Sequence, residues 1–486
     1  MAERLVAALP ALPILIPLAT AVGLLVGPPR AVGRLAGLLA VAATLAAGVA
    51  LVVLTRDGRI FPIQAGGWPA PFGISVVADS LAALMVLIAA IIAAVGLLFT
   101  IAAGRDDRFV HAGWQFLLAG IDWAFLTGDL FNLYVAYEVM LMASYFLLTH
   151  GTSRQQAREA FGYVAMNLIA STFFLFAVAL IYSAAGTLNM AHLAQRIPQA
   201  PAGPVRAGAT LLLLAFGIKA AIFPLYYWLP HAYAIPPAGI AGFFGGMLTK
   251  VGVYSLFRVF TIIFPSQGPD PLMLWLAAGT MLLGVLGALA QEDIRRILSF
   301  HIISQVGYMF MGLALASQLG IAGGIFYILH HIVVKVGLIL AGGAIEETYG
   351  TGRLERLGGI ARTNGALALV FIICALSLAG VPPFSGFFAK LLLIRAGFAV
   401  GQPGIVAVSI VVSVLTLMSM VKIYSNAFWG PGAPARVPAR LVAPAALLAA
   451  ITVVVGLQAR GLYALTSTAA AHLASPTQYV QAVLRR

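Results

Sequence analysis

Apolar stretches of about twenty residues follow one another along almost the whole chain, parted only by short clusters of Pro, Gly and Arg. A helix needs about 20 such residues to cross the hydrocarbon core of a bilayer, and in lipid only helices and closed barrels satisfy every backbone group. The runs are continuous rather than alternating, so the pattern predicts an all-α polytopic membrane protein, a helical bundle and not a barrel. About fourteen spans fit, near residues 5 to 27, 31 to 54, 75 to 103, 110 to 127, 130 to 149, 158 to 185, 207 to 234, 238 to 262, 271 to 290, 297 to 317, 320 to 343, 364 to 399, 404 to 428 and 441 to 463. The seventh and twelfth windows are too long for one straight helix and contain Pro224 in one case, Pro382 and Pro383 in the other. Both are expected to be broken helices, and broken helices are where transporters place their binding sites.

Composition agrees: with 62% hydrophobic and 9% charged residues among 486, there is too little polar surface to cover a water-soluble globule. No linker or soluble domain interrupts the spans. A single membrane domain over 1–486 is expected, with N-terminal spans in 1–104, two related bundles in 110–262 and 271–428, and a last span at 441–463. The first segment has no small-residue cleavage site after a basic start and does not read as a removable signal. Residues 464–486 are too few for a long helix beyond the last span. The single cysteine, Cys374, excludes an internal disulfide and a cysteine-based metal or iron–sulfur site. No nucleotide-binding glycine fingerprint and no haem motif is visible, so no cofactor is expected.

Arg and Lys cluster in short loops, which sets orientation. The loops after spans 1, 3, 5, 9, 11 and 13 hold Arg30, Arg34, Arg105, Arg108, Arg154, Arg158, Arg295, Arg296, Arg353, Arg356, Arg362, Arg436 and Arg440. Those loops are expected to be cytoplasmic and both termini outside. The other side carries Arg4, Arg56, Arg59, Arg196 and Arg206 near its helix ends, with nothing basic after spans 8, 10 or 12. The net charge of +13 belongs mostly to this asymmetry. A nucleic-acid partner would need a basic solvated domain that the chain lacks.

Against this background, Glu138, Lys219, Lys250, Lys335 and Lys390 stand out, because each lies well inside an apolar segment. A charge at mid-bilayer costs about 2.5 to 3.5 kcal/mol on insertion scales, so five of them on separate helices point to a path for charge. Glu138 falls about two turns beyond the Gly128 turn, with Tyr134 on the same face. Lys219 sits just before Pro224, where a lost backbone donor gathers polar groups. Lys250, Tyr254 and Arg258 form a polar stripe on span 8, and His330, His331 and Lys335 a second cluster on span 11. Histidine suits a proton relay. Two adjacent histidines without a carboxylate or cysteine at matching spacing do not make a metal site. His301, Ser304, Gln305 and Tyr308 give span 10 a polar face that either continues the path or binds helices together. Lys390 follows Pro383, so each half has one broken helix with one buried lysine. Asp79 and Asp122 are placed near helix ends, in capping or interface roles; Lys422 and Arg395 have no clear assignment.

The stretches Thr127 to Leu133 continuing through Glu138, Lys219 to Pro224, Leu248 to Tyr254, Asp293 to Ser299 with Ser304 to Tyr308, and Leu378 to Pro383 continuing through Lys390 resemble the antiporter-like subunits shared by Mrp-type cation/proton antiporters and respiratory complex I. The resemblance covers about residues 75 to 430. The Gly128-Asp129-Leu130-Phe131-Asn132 turn and the stretch from Phe326 to Lys335 are most similar to the D-type subunits. The resemblance implies a fourteen-span bundle with inverted repeats, working with about six partner subunits in a sodium/proton antiporter of a bacterial cytoplasmic membrane. It also implies that Glu138, Lys219, Lys250 and Lys390 line a proton path. Asp122 departs from the family pattern, where an uncharged polar residue is expected.

The expected function is proton translocation in a multisubunit exchanger of protons for a monovalent cation, sodium first. In the expected mechanism Glu138 pairs with charged Lys219, and protons pass laterally through His330, His331 and Lys335 to Lys390. Two other classes are a redox-driven pump, where electron transfer in partner proteins drives the same relay, and a structural scaffold, which would have no reason to bear the insertion cost of five buried ionisable groups.

Overall fold

The computed structural model describes residues 8–151, 153–432 and 435–484. It is the expected all-α polytopic bundle, and each apolar window contains helix. Helices α1 (Leu12–Leu25) and α2 (Arg30–Thr55) lead into α3 (Ser80–Ala102), α4 (Arg108–Leu126), α5 (Leu130–Thr149) and α6 (Arg154–Ala185). The short α7 (Met190–Arg196) lies in the connection to α8 (Ala202–Ala220) and α9 (Trp228–Ala232), which are the two parts of the seventh window. Then come α10 (Ala238–Ile263), α11 (Pro271–Leu289), α12 (Ile294–Ala314) and α13 (Gln318–Tyr349). The twelfth window is α14 (Gly365–Ala379) and α15 (Ser385–Ala399), and α16 (Pro403–Trp429) and α17 (Ala439–Leu457) complete the spans. Eleven described helices are long and apolar enough to cross a membrane by themselves.

Both breaks fall where proline predicts them. After α8 the chain turns through Ala221, whose φ is +59°, and Pro224 follows. α14 ends at Gly380 with φ +92°, before Pro382 and Pro383. A side chain is disfavoured at such dihedrals, and Gly380 meets that need where the chain must reverse its helical course.

Two windows are corrected. The third does not begin as helix at residue 75: β1 (Phe61–Gln64) pairs antiparallel with β2 (Ser75–Ala78), Phe61 opposite Ala78 and Gln64 opposite Ser75. The Asp79 carboxylate then accepts the Ala82 N–H at 2.9 Å and starts α3 at Ser80. The fourteenth window ends at Leu457 rather than 463. Gln458 interrupts the helix, and the chain continues as α18 (Ala459–Ala474) and α19 (Thr477–Leu484), with α18 docked on α13 and α3.

The middle of the bundle is α13, buried without interruption from Gly320 to Ile345 and packed by α3, α10, α12, α14, α15, α17 and α18. α10 is buried along its whole length apart from Phe260. Every face of such helices meets protein, so a polar stripe like that of Lys250, Tyr254 and Arg258 must find its partners inside the bundle. It is on these two interior helices that Lys250, His330, His331 and Lys335 sit.

Candidate functional site

In the first half, Lys219 at the end of α8 is 4% exposed and donates to the Asn167 backbone oxygen (3.2 Å) and Ser171 Oγ (3.4 Å) of α6. Its ammonium lies 5.6 Å from the Tyr137 ring centroid, a cation–π distance. Glu138 on α5 is within electrostatic reach of Lys219. No ion pair joins them, however, since the described pairs within 4 Å do not include either residue. The expected pairing is therefore absent from this conformation. Glu138 instead borders an apolar cavity of about 500 Å³ between α1, α4 and α5, and its buried Oε1 has no hydrogen-bond partner among the described residues.

Lys250 is fully buried in α10 and donates to the Gly245 backbone oxygen at 2.6 Å and to Thr249 Oγ at 3.1 Å. Gly245 lies in a π-helical turn, Phe244–Leu248. That widened turn disturbs the regular hydrogen-bond ladder and leaves a carbonyl within reach of the ammonium.

α13 packs on α10, the helix that carries Lys250. Lys335, fully buried, donates to the Leu298 backbone oxygen of α12 at 3.3 Å and lies within electrostatic reach of Lys250. His331 lies within the same reach of Lys250, Lys335, His330 and His301, and both its ring nitrogens are buried without a hydrogen-bond partner among the described residues.

In the second half, Lys390 of α15 is 5% exposed and donates to the Ala379 backbone oxygen at 2.8 Å, the orphan carbonyl at the end of α14. Its ammonium lies 5.0 Å from the Tyr308 ring, which stacks on Tyr327 at a centroid distance of 5.0 Å. Tyr327 donates to Gln305 Oε1, and Tyr308 donates to the Ser409 backbone oxygen at 2.5 Å. His330 Nδ1 meets Ser385 Oγ at 2.7 Å, and Ser385 continues to Thr452 at 2.6 Å and from there to Ser377 at 2.8 Å. His301 Nε2 contacts Ser419 Oγ at 2.9 Å. Ser304 turns to the Met281 backbone oxygen of α11 at 2.9 Å and binds two helices together.

The span 8 stripe divides. Lys250 faces α13, but Tyr254 and Arg258 belong to a brace with Asp79: the Arg258 guanidinium donates to both Asp79 oxygens, its Nε donates to the Tyr254 hydroxyl at 2.8 Å, and Tyr254 donates to the Phe125 backbone oxygen. Tyr479 of α19 lies 5.5 Å beneath the same guanidinium. Asp79 thus caps α3 and neutralises Arg258. Lys422 closes the end of α11, donating to the Leu289 and Gln291 backbone oxygens and to Glu292, and Arg395 is exposed. Asp122 lies near a helix end as expected, one turn before the last residue of α4, but it is fully buried and neither carboxyl oxygen has a hydrogen-bond partner among the described residues, so it caps nothing.

Sequence reasoning missed Asn167, Ser171, Ser385 and Thr452. Asn167 and Ser171 are four apart on one face of α6, a visible polar pair, and Ser385 stands between Pro383 and Lys390. Thr452 carries no such signal, because a lone threonine in an apolar span ordinarily bonds its own helix.

Basic groups buried on broken and π-turned helices thus run through the interior of a polytopic membrane bundle. The chain belongs to the NADH:quinone oxidoreductase/Mrp antiporter transmembrane family, whose model matches residues 127–416. More particularly, it is 45% identical over 460 residues to the D-type Na(+)/H(+) antiporter subunit of Alkalihalophilus pseudofirmus, covering 92% of this chain and 93% of that protein. Its structure superposes with TM-score 0.94 and 36% identity on a chain of the Mrp complex from Dietzia sp. DQ12-45-1b, covering 98% of this chain and 99% of that one. A chain of the membrane-bound sulfane sulfur reductase, an archaeal respiratory membrane complex, matches with TM-score 0.91 and 28% identity, covering 98% and 99%.

Proposed function

We propose that this chain is the proton-translocating subunit of a multisubunit antiporter that exchanges protons for a monovalent cation, sodium first, in a bacterial cytoplasmic membrane. Other subunits of that complex are its partners, and both termini lie outside. Its proton path runs through Glu138, Lys219, Lys250, His331, Lys335, His330 and Lys390.

One observation carries this reading. Lys219, Lys250, Lys335 and Lys390 each donate to a backbone carbonyl, and none is paired with a carboxylate among the described residues. A structural buried lysine is expected to be locked to a counter-charge. An ammonium held by a neutral carbonyl can give up its proton without stranding an anion, which is what a carrier needs.

In this mechanism Glu138 acts on Lys219 through space, and a change in its charge alters how tightly Lys219 holds its proton. Release toward Lys250 raises the positive charge facing Lys335 and His331, which favours onward transfer. His330 and Lys390 receive the proton beside the Tyr308 and Tyr327 stack, and water completes the wire between groups not in contact. Moving one charge through 100 mV is worth about 2.3 kcal/mol, the scale of a modest change in local electrostatics, so the protein needs no redox centre of its own.

The likeness to a chain of an archaeal respiratory complex supports a second reading, in which electron transfer in partner proteins drives the same relay. One experiment separates the two. The full complex is placed in vesicles lacking other sodium exchangers, and a pH-sensitive dye is followed after sodium addition. Sodium should dissipate the pH gradient in wild type and fail to do so in assembled Glu138→Ala and Lys219→Ala. Acidification driven by an electron donor, with no response to sodium, would replace the antiporter reading by the redox one.

A further inference from the structure

Asp122 has no part in the path above, yet it is 0% exposed and both of its carboxyl oxygens are buried without a hydrogen-bond partner among the described residues. Its level in the membrane follows from two contacts. Gly120 lies so close to α5 that a Cβ there would meet the Met140 backbone nitrogen at 2.6 Å. α4 and α5 are antiparallel neighbours, so moving two residues forward from Gly120 and two back from Met140 brings Asp122 level with Glu138. On another side, Tyr254 of α10 donates to the Phe125 backbone oxygen of α4. Spans 4 and 8 cross in the same direction, and one turn inward from this contact the two helices carry Asp122 and Lys250.

The helices packed on α4 supply few other charges. α1 and α3 carry no titratable side chain. α2 brings Arg30 and Arg34, both bound to Asp106 at the opposite end of α4. α5 brings Glu138 with Tyr134, Tyr137 and Tyr145, and α10 brings Lys250, Tyr254 and Arg258, the last held by Asp79. A carboxyl buried with neither a hydrogen bond nor an ion pair is compatible with the neutral acid and not with a lasting bare anion.

We propose that Asp122 is a further proton-binding site of the first half, a neutral carboxylic acid one turn inward from the contact between Tyr254 and Phe125, which passes its proton by way of water to the Lys250 amine. The O–H bond of Asp122 breaks as an O–H bond of a bridging water forms, and an O–H bond of that water breaks as an N–H bond of Lys250 forms, leaving a carboxylate and an ammonium; a proton delivered by water then restores the acid. This rests on the proton path proposed above.

The test is infrared difference spectroscopy on the assembled complex, comparing wild type with Asp122→Asn and Asp122→Glu, together with sodium-dependent proton movement. Wild type should show a carboxylic C=O stretch that shifts in heavy water and is missing in Asp122→Asn. The assembled Asn variant should transport about tenfold more slowly, with Asp122→Glu restoring most of the rate. An unchanged acid band in Asp122→Asn, or an Asn variant as fast as wild type over the whole pH profile, overturns the proposal. If Asp122→Asn does not assemble, the C=O band must move in Asp122→Glu, and a stationary band overturns it. The band is read without sodium. Wild type showing no sodium-driven proton movement would therefore count against the antiporter, while the band still decides Asp122.

Discussion

Asp79 and Arg258 form a buried pair whose members are 1% and 3% exposed, and the pair ties α3 to α10 with Tyr479 of α19 beneath. Removing one partner leaves an uncompensated charge out of water, so Asp79→Asn should cost about 3 to 5 kcal/mol in thermal unfolding of the assembled complex. Asp106 behaves differently. Burial pushes its carboxyl up, but hydrogen bonds from Arg34, Arg30 and His111 outweigh that and hold it well below the usual carboxylate range. With a depressed folded value, its contribution is present above the unfolded pKa of about 3.9 and is lost as pH falls toward the folded one. The arginines are partly exposed, so Asp106→Asn should cost only about 1 kcal/mol at neutral pH. The stability difference from wild type, followed by unfolding at stepped pH, should narrow as pH falls below about 4. A constant difference across that range would refute the account.

Among the elements, the two broken helices hold their lysines on opposite flanks. Lys219 precedes its break, whereas Lys390 follows its own and reaches back to the last carbonyl of α14. Gly380 makes that reach possible, since a Cβ there would lie 2.7 Å from Lys390 Cδ. Gly380→Ala should therefore displace the Lys390 side chain as well as strain the turn, and sodium-driven proton movement should fall more than thermal stability does. The first break places Ala221 at φ +59°, where a non-glycine residue costs about 1 kcal/mol or more. Ala221→Gly should then unfold at a temperature equal to or above that of wild type. A clear drop would mean that the alanine methyl packs better than its backbone conformation costs.

For the molecule as a whole, orientation is open to direct test. With a cysteine at Gly58 or Ser266, an impermeant maleimide added to intact cells should label, and with one at Thr351 it should label only after permeabilisation; the reverse pattern would invert the proposed topology. The amino-acid sequence by itself determined the solvent, the class of fold, the broken seventh and twelfth spans, the buried Lys219, Lys250, Lys335 and Lys390, and the half-buried Glu138. Those follow from local quantities: a run of apolar residues cannot be covered in water, a proline cannot continue a helical ladder, and a charge in lipid carries its cost wherever it sits. The same locality explains why residues 75 to 78 read as helix, since their pairing with Phe61–Gln64 depends on a chain segment outside the window. Only the tertiary structure decided which polar groups meet. Tyr254 and Lys250 lie four apart on one helix face, yet Tyr254 joins the Asp79 and Arg258 brace while Lys250 turns to a π-turn carbonyl and faces Lys335. Partners for Lys219 on α6 and for His330 on α15 come from distant parts of the chain, and that for Lys390 from across the break that precedes it. Periodicity names the face of a helix that must be buried; what that face touches is set by how the helices pack.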